Sequence, residues 1–388
     1  MLATLTGLCQ QTMRIPIAAD DDLVAQGLNA NRALALIKLF WVRTGIELDV
    51  NIFYIHRTPR AIVEAVEQGK LHSQILPADK ILPLRDGNLT RPLFLFAGGV
   101  NCFLETQGLL DAMTFDGVIY GITLTDFGRP ADNPPKVEDE VELSYRAMKD
   151  IQPQGPYRLA GYSFGGVLAL ELARRARAEG DMIEVLLLLD PPQNDHSWPL
   201  GLWAGLMRRI VARQMKSVLG KLTGRAANRG KPSAERTCDA GVEALREGRA
   251  ASAFRHSPPR RGHQFFFRFR NPRLAGYPLC APQWAGGYVP AYDARARQLL
   301  QMKGLYRPRV YDGPLVFFGS KSGSPIDCDA TLIWKAYLPR ADWISASGNH
   351  LSMIVARNGR RLAVKIDLLL QAGPASVREP SSSESVAA

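Results

Sequence analysis

The chain has 388 residues, of which 46% are hydrophobic and 22% are charged, and its formal net charge is +11. This length exceeds one average domain, and the composition is that of a globular protein that can bury a core. No stretch approaches the roughly 18 consecutive apolar residues that span a bilayer, so we expect no membrane partner. The first residues lack the basic and long apolar regions of a signal peptide, and none is expected.

The five cysteines are scattered and include no CxxC pair. This pattern argues against structural disulfides or a zinc site and favours a reducing, cytoplasmic location. We therefore expect no metal and no cofactor.

The positive charge is concentrated in one segment. Between Met207 and Leu274 there are 17 Lys or Arg residues against 4 Asp or Glu residues, so the rest of the chain is close to neutral. Basic segments can bind nucleic acid, but this one has no recognisable nucleic-acid-binding motif. Its Phe-rich run at 265–270 is more simply a lid strand or the edge of a core. We expect no nucleic-acid partner.

Residues 1–72 form a block of distinct composition that contains no serine. Leu34, Ile37 and Trp41 have the spacing of one helical face, and Phe40 lies beside them. Asn29 is suited to the N-cap of that helix, which places Ala30 in its first turn. The block is predicted to be a small helical bundle.

From residue 82 to residue 372, short apolar strands alternate with helices, which predicts a doubly wound α/β sheet. Strands are expected at 92–96, 117–123, 156–161, 183–190, 313–319 and 342–348, and helices at 136–151, 167–180, near 329–338 and at 361–371. The alternation breaks between about 193 and 305, which we interpret as a lid insertion. The polar tail at 373–388 is predicted to be disordered.

The sequence GYSFGG at 161–166 contains the strongest chemical signal. It fits G-x-S-x-G between a predicted strand and a predicted helix, the setting of a nucleophilic serine. Ser163 would lie on the tight turn. The helix that begins at Phe164 would direct backbone N–H groups toward negative charge developing there.

A nucleophilic serine needs a base, and the base needs an acid to orient it. Of the six histidines, His350 alone follows the last predicted strand, from which it could reach Ser163. Asp190 and Asp327 are both placed to be the acid. Asp190 has the better-defined position, at the end of the strand IEVLLLLD.

Residues 82–372 resemble the thioesterase domains that terminate nonribosomal peptide and polyketide assembly lines, a family with the α/β-hydrolase fold. The resemblance is carried by GPYRLAGYSFGGVLALELAR, LLLLDPP, YRPRVYDGPLVFF and SGNHLSM. It implies that Asp190 is the acid, because in that family the acid follows the strand after the nucleophile helix. It also implies a lid insertion where the alternation breaks.

The oxyanion loop departs from that family. The family usually has a His-Gly or Pro-containing lead before a Gly-Gly pair, whereas this chain has only Phe96-Ala97-Gly98-Gly99. Backbone donors need no particular side chain. We therefore expect the N–H groups of Ala97 and Phe164 to form the oxyanion hole.

Residues 1–72 resemble an acyl- or peptidyl-carrier domain, from DDDLVAQGL through TGIELDVNIFYIHRTPRAIVEAV. In that family a serine at the start of the second helix carries phosphopantetheine. Here Ala30 occupies that position, between Asn29 and Asn31, so there is no attachment site. An engineered Ser→Ala change would explain Ala30 but not its two neighbours, and we favour a naturally degenerate carrier.

The leading hypothesis is a serine thioesterase that releases an acyl or peptidyl chain, through a covalent acyl-enzyme, from a carrier protein bound in trans. One alternative is a serine hydrolase or acyltransferase that acts on free esters, amides or acyl-coenzyme A. A second alternative is a non-catalytic binding protein that mimics a carrier.

Overall fold

The computed structural model describes residues 1–69, 80–99, 101–124, 135–191, 286–321 and 333–372, the strands at 265–269 and 280–284, and a few residues between 201 and 215. Most of the predicted lid at 193–305, much of the basic segment and the tail at 373–388 lie outside these residues.

The N-terminal block is helical, as predicted. Its helices are α1 (Leu2–Met13), α2 (Ala30–Thr44), α3 (Ile52–Ile55) and α4 (Pro59–Glu67). The side chain of Asn29 accepts a hydrogen bond from the N–H of Arg32 at 3.1 Å and so caps α2. Gly45 ends α2 in a left-handed conformation with φ of 75°.

The buried face of α2 differs from the predicted face. Its buried residues are Ala33, Leu36, Ile37 and Phe40. Leu34 and Trp41, which were predicted to share the face of Ile37, are only partly buried at the margin of the cluster. The face is turned because α2 packs against α1, a helix that the sequence pattern did not reveal.

The remainder of the described chain is built around a seven-stranded sheet in the order β1-β3-β2-β4-β5-β8-β9. Only β1 is antiparallel to its neighbour. The strands are β1 (Ile81–Arg85), β2 (Asn88–Phe96), β3 (Gly117–Ile122), β4 (Tyr157–Tyr162), β5 (Ile183–Leu189), β8 (Leu315–Ser320) and β9 (Ala341–Ala346). A separate antiparallel pair consists of β6 (Phe265–Phe269) and β7 (Cys280–Trp284).

Helices cover both faces of this sheet. They are α5 (Gln107–Leu110), α6 (Val137–Ile151), α7 (Phe164–Ala178), α8 (Pro290–Leu305) and α9 (Ala356–Ala372). Strand β5 shows the layering, because Leu186 and Leu188 belong to the cluster that includes α6 and α7, whereas Leu187 and Leu189 belong to the cluster that includes α9. An apolar run buried on both faces is expected in a parallel sheet. The architecture confirms the predicted α/β-hydrolase fold.

The N-terminal helices share a third buried cluster with the α/β part. Besides side chains of the helical block, it contains Leu82, Ala97, Phe103, Leu104 and Val289. The helices therefore pack against the chain that follows β2.

None of the helices described combines the length and apolar character needed to cross a bilayer.

Candidate active site

Ser163 lies on the turn between β4 and α7, with φ of 54° and ψ of −128°. A positive φ is strained for a residue with a side chain and persists only where the surrounding structure enforces it. The neighbouring glycines make the turn possible. A Cβ on Gly161 would lie 2.2 Å from the carbonyl oxygen of Gly165, and one on Gly165 would lie 2.5 Å from that of Ala97.

His350 lies in the loop after β9, and its ring reaches the serine. Its Nε2 is 2.9 Å from the Oγ of Ser163. Tyr162 holds this loop, because its hydroxyl donates to the carbonyl oxygen of His350 at 2.8 Å. Its ring also stacks on the imidazole, with the two ring centroids 5.3 Å apart. The ring thus has a fixed position beside the nucleophile.

Asp190 follows β5 and lies on the far side of the imidazole. Its Oδ2 is 2.8 Å from Nδ1 of His350, and its side chain is buried. Its Oδ1 also accepts a hydrogen bond from the N–H of Ser320 at 3.4 Å. An Nδ1–H that donates to a carboxylate leaves Nε2 free to accept the serine proton. The other acid considered, Asp327, lies outside the described residues.

The two expected oxyanion donors lie next to residues that contact the serine turn. Phe164 is the first residue of α7, so its N–H has no partner within the helix. Ala97 follows the end of β2, and neither N–H donates to another backbone group in the turns and loops of the described part of the chain. The adjoining Gly98 fits closely, since a Cβ there would lie 2.9 Å from the Cβ of Ser163. The N–H groups of Ala97 and Phe164 remain the expected donors.

Two further residues near this loop were missed by sequence reasoning. Asn51, from the N-terminal block, is buried and donates to the carbonyl oxygen of Asn101 at 2.8 Å. Glu105 places its carboxyl near Gly99, where a Cβ would lie 3.8 Å from Oε1, and burial raises the pKa of Glu105 to about 7. Neither residue belongs to a motif, and the partners of Asn51 are 50 and 52 positions away along the chain.

The arrangement places a serine hydroxyl, an imidazole and a buried carboxylate in hydrogen-bonding contact, at the start of a helix. It suits acyl transfer through a covalent intermediate. In the described residues, no group of three or more His, Cys, Asp or Glu side chains is arranged to hold a metal ion.

A family model and several known proteins are similar to parts of this chain. Residues 91–237 match the family model "Thioesterase domain". The chain is 28% identical over 200 residues to a dimodular nonribosomal peptide synthase of Bacillus subtilis (strain 168). This match covers 50% of this chain and 8% of the relative. It is 31% identical over 113 residues to the polyketide synthase PksR of the same organism, which covers 29% of this chain and 4% of the relative.

Among solved structures, the NocB thioesterase domain, in covalent complex with a fluorophosphonate nocardicin G analogue, is similar at 20% identity and a TM-score of 0.44. The match covers 72% of this chain and 94% of that structure. The curated relatives are far longer than this chain, which spans only the small fractions given above.

Proposed function

We propose that this chain releases an acyl or peptidyl chain from a carrier-bound thioester, a proposal that starts from the match of residues 91–237 to the thioesterase-domain model. The observation that carries the proposal is the continuous contact from Ser163 through His350 to Asp190, with heavy-atom distances of 2.9 and 2.8 Å. The names of the relatives, which are nonribosomal peptide and polyketide synthases, support the substrate class.

In the first half of the reaction, Ser163 Oγ attacks the thioester carbonyl while His350 Nε2 accepts its proton. Asp190 stabilises the imidazolium that forms and keeps the ring in the required tautomer. The negative charge moves to the carbonyl oxygen, where the N–H groups of Ala97 and Phe164 bind it. The C–S bond then breaks, the carrier thiol leaves with the proton from His350, and the acyl group stays on Ser163.

In the second half, a water molecule or a nucleophile within the acyl chain attacks the ester on Ser163. His350 accepts the proton of that nucleophile and returns it to Ser163 Oγ as the C–O bond breaks. Water yields a free acid, and an internal nucleophile yields a cyclic product.

The substrate arrives on a separate carrier. Ala30 occupies the position at which a carrier would bear phosphopantetheine, and residues 1–72 contain no serine. An acyl- or peptidyl-carrier protein that binds in trans is therefore the proposed partner, and residues 1–72 are proposed to be a degenerate carrier-like domain.

Labelling with a fluorophosphonate tests the chemistry. The reagent should modify the wild-type chain at Ser163 and leave the Ser163→Ala variant unmodified, because it reacts with serines activated by a base. Absence of labelling in the wild type would favour the non-catalytic alternative. Faster turnover of acyl-coenzyme A than of the same acyl group on a carrier would favour the alternative enzyme, a serine hydrolase or acyltransferase that acts on free esters, amides or acyl-coenzyme A.

A further inference from the structure

The N-terminal helices meet the α/β part at the turn that is closed by a hydrogen bond from Asn101 to Gly98. This turn directly follows Ala97, one of the proposed oxyanion donors. We propose that Asn51 is a positioning residue for the oxyanion hole, and that the helical block which carries it is a fixed part of the active site. The inference rests on the proposed function, because the geometry of an oxyanion hole affects only a reaction at Ser163.

The carboxamide of Asn51 contacts the last residue of this turn, Asn101, and the chain just after it, at Phe103. Nδ2 donates to the carbonyl oxygen of Asn101 at 2.8 Å, and Oδ1 accepts from the N–H of Phe103 at 3.1 Å. Asn51 is 2% exposed, and its own N–H donates to Oδ1 of Asp49 at 2.8 Å. Both functions of the carboxamide are thus used on main-chain groups of the α/β part, in an environment that excludes water.

The turn held by Asn51 has a left-handed residue. Asn101 has φ of 66°, a conformation that Asn adopts more readily than most residues with a Cβ but less readily than Gly. Its N–H donates to the carbonyl oxygen of Gly98 at 2.8 Å, which closes the turn. Its side-chain Oδ1 is buried and has no hydrogen-bond partner among the residues that the structure describes. The contacts from Asn51 and Gly98 to its main chain therefore hold the conformation.

A displacement of this turn would reach the nucleophile. Gly98 packs against the Tyr162 ring and Ser163, since a Cβ on it would lie 2.8 Å from the ring and 2.9 Å from the Cβ of Ser163. Gly98 also adjoins Ala97, one of the proposed oxyanion donors. A chain of direct contacts thus runs from Asn51 through Asn101 and Gly98 to Ser163.

Other contacts fix the block that carries Asn51. Asp49 forms an ion pair with Arg295 at 2.9 Å, and both side chains are largely buried. The Glu47 carboxylate accepts from the N–H of Ala291 at 2.9 Å, at the start of α8. Tyr54 contributes a hydrogen bond from its hydroxyl to Gln107. A block anchored at both α8 and the turn can serve as a support without carrying a prosthetic arm, which fits Ala30.

The test is to replace Asn51 by Ala and measure hydrolysis of a p-nitrophenyl acyl ester. Rates are expressed per competent site, counted by fluorophosphonate titration to its end point, and measured well below the melting temperature. Asn51→Ala should lower kcat by about 10- to 100-fold with KM unchanged, because a misplaced oxyanion donor weakens transition-state binding alone. The pH profile of kcat should keep its shape, because the contacts of His350 are intact.

Lys38→Met is the matched control. Lys38 donates from the same block to the carbonyl oxygen of Gly287 at 2.6 Å and makes no contact with the turn. Its kcat should stay within about twofold of the wild type. If Asn51→Ala does not fold, Asn51→Asp replaces it, since this variant keeps the acceptor for Phe103 and loses the donor to Asn101.

A second change tests the cause. Asn101→Gly, introduced into the Asn51→Ala chain, should recover part of the lost kcat, because glycine adopts a positive φ without strain. An unchanged kcat per site in Asn51→Ala, an equal loss in Lys38→Met, or no recovery with Asn101→Gly would each overturn the inference. A wild type that is not labelled at Ser163 would instead overturn the proposed function.

Discussion

Ser163, His350 and Asp190 come from three separate loops, and two of them, Ser163 and Asp190, also have an unusual backbone conformation. Ser163 and Asp190 both have positive φ, at 54° and 49°. Such strained residues cluster at functional sites, where the surrounding structure enforces them. The strain at these two positions matches the role proposed for them.

Replacement of these residues should have unequal effects. Ser163→Ala and His350→Ala should each lower the rate of acyl-enzyme formation by about 10⁴- to 10⁶-fold, because triad members act as a unit. Asp190→Asn should cost less, and Asp327→Asn, the matched control, should cost little. Single-turnover kinetics with an acyl thioester measures these losses. A larger loss from Asp327→Asn than from Asp190→Asn would show that the acid is assigned wrongly.

Glu105 should make the stability of the protein depend on pH. Burial raises its pKa from an ordinary 4.5 to about 7, so between these values the folded state binds more protons than the unfolded state. The free energy of unfolding must therefore fall as the pH rises through this range.

Glu105→Gln should remove that fall. The variant should melt at a higher temperature than the wild type at pH 8, and the difference should shrink toward zero at pH 5. Glu64→Gln, which changes an exposed glutamate in α4, is the control and should show no such pH dependence. An equal gain for Glu105→Gln at both pH values would contradict the explanation by burial of a charge.

Ser163 and His350 could be chosen as candidates from the sequence. Ser163 lies in the G-x-S-x-G motif, and His350 follows the last predicted strand. Asp190 was separated from Asp327 by its place at a strand end and by family resemblance. Asn51 and Glu105 had no such signal. The partners of Asn51 are Asn101 and Phe103, and only the folded chain brings these residues to it.

Among the elements, α2 bears most directly on the proposal that residues 1–72 are a degenerate carrier-like domain. Its first residue, Ala30, is partly buried against the cluster of the N-terminal helices. The first N–H groups of a helix favour a phosphate, as on a loaded carrier. Here the side chain of Asn29 already accepts from Arg32, and there is no hydroxyl to modify.

A phosphopantetheinyl transferase should therefore leave this chain unmodified. Ala30→Ser should be modified poorly, because the new hydroxyl would be partly buried beside Asn29 and Asn31. Intact-protein mass spectrometry after incubation with transferase and coenzyme A measures the added arm. A gain of one phosphopantetheine by the unaltered chain would rule out a degenerate carrier.

Some secondary-structure elements could be predicted from the pattern of apolar residues, and others could not. Strand β5 could be predicted because its apolar run is long enough to be buried on both faces. Strand β1 was missed because Pro83 interrupts it and it pairs only at the edge of the sheet, where proline is tolerated. The buried face of α2 was placed wrongly because it depends on α1.

At the scale of the whole molecule, the proposed delivery of the substrate by a separate carrier would account for two features, the N-terminal block without a serine and the uneven distribution of charge. Carrier proteins are usually acidic, and their prosthetic arm adds a phosphate. The segment from Met207 to Leu274, with 17 basic and 4 acidic residues, would attract such a partner. Electrostatic steering of this kind raises association rates by about 10- to 1000-fold at low salt.

We propose that this chain cleaves a thioester presented by a separate carrier. The most direct measurement compares kcat/KM for one acyl group on a carrier protein and on coenzyme A, with the wild type and with Ser163→Ala. We expect a higher kcat/KM for the carrier, an advantage that shrinks as salt is added, and no turnover by Ser163→Ala. Turnover that survives Ser163→Ala, or a higher kcat/KM for acyl-coenzyme A, would contradict it.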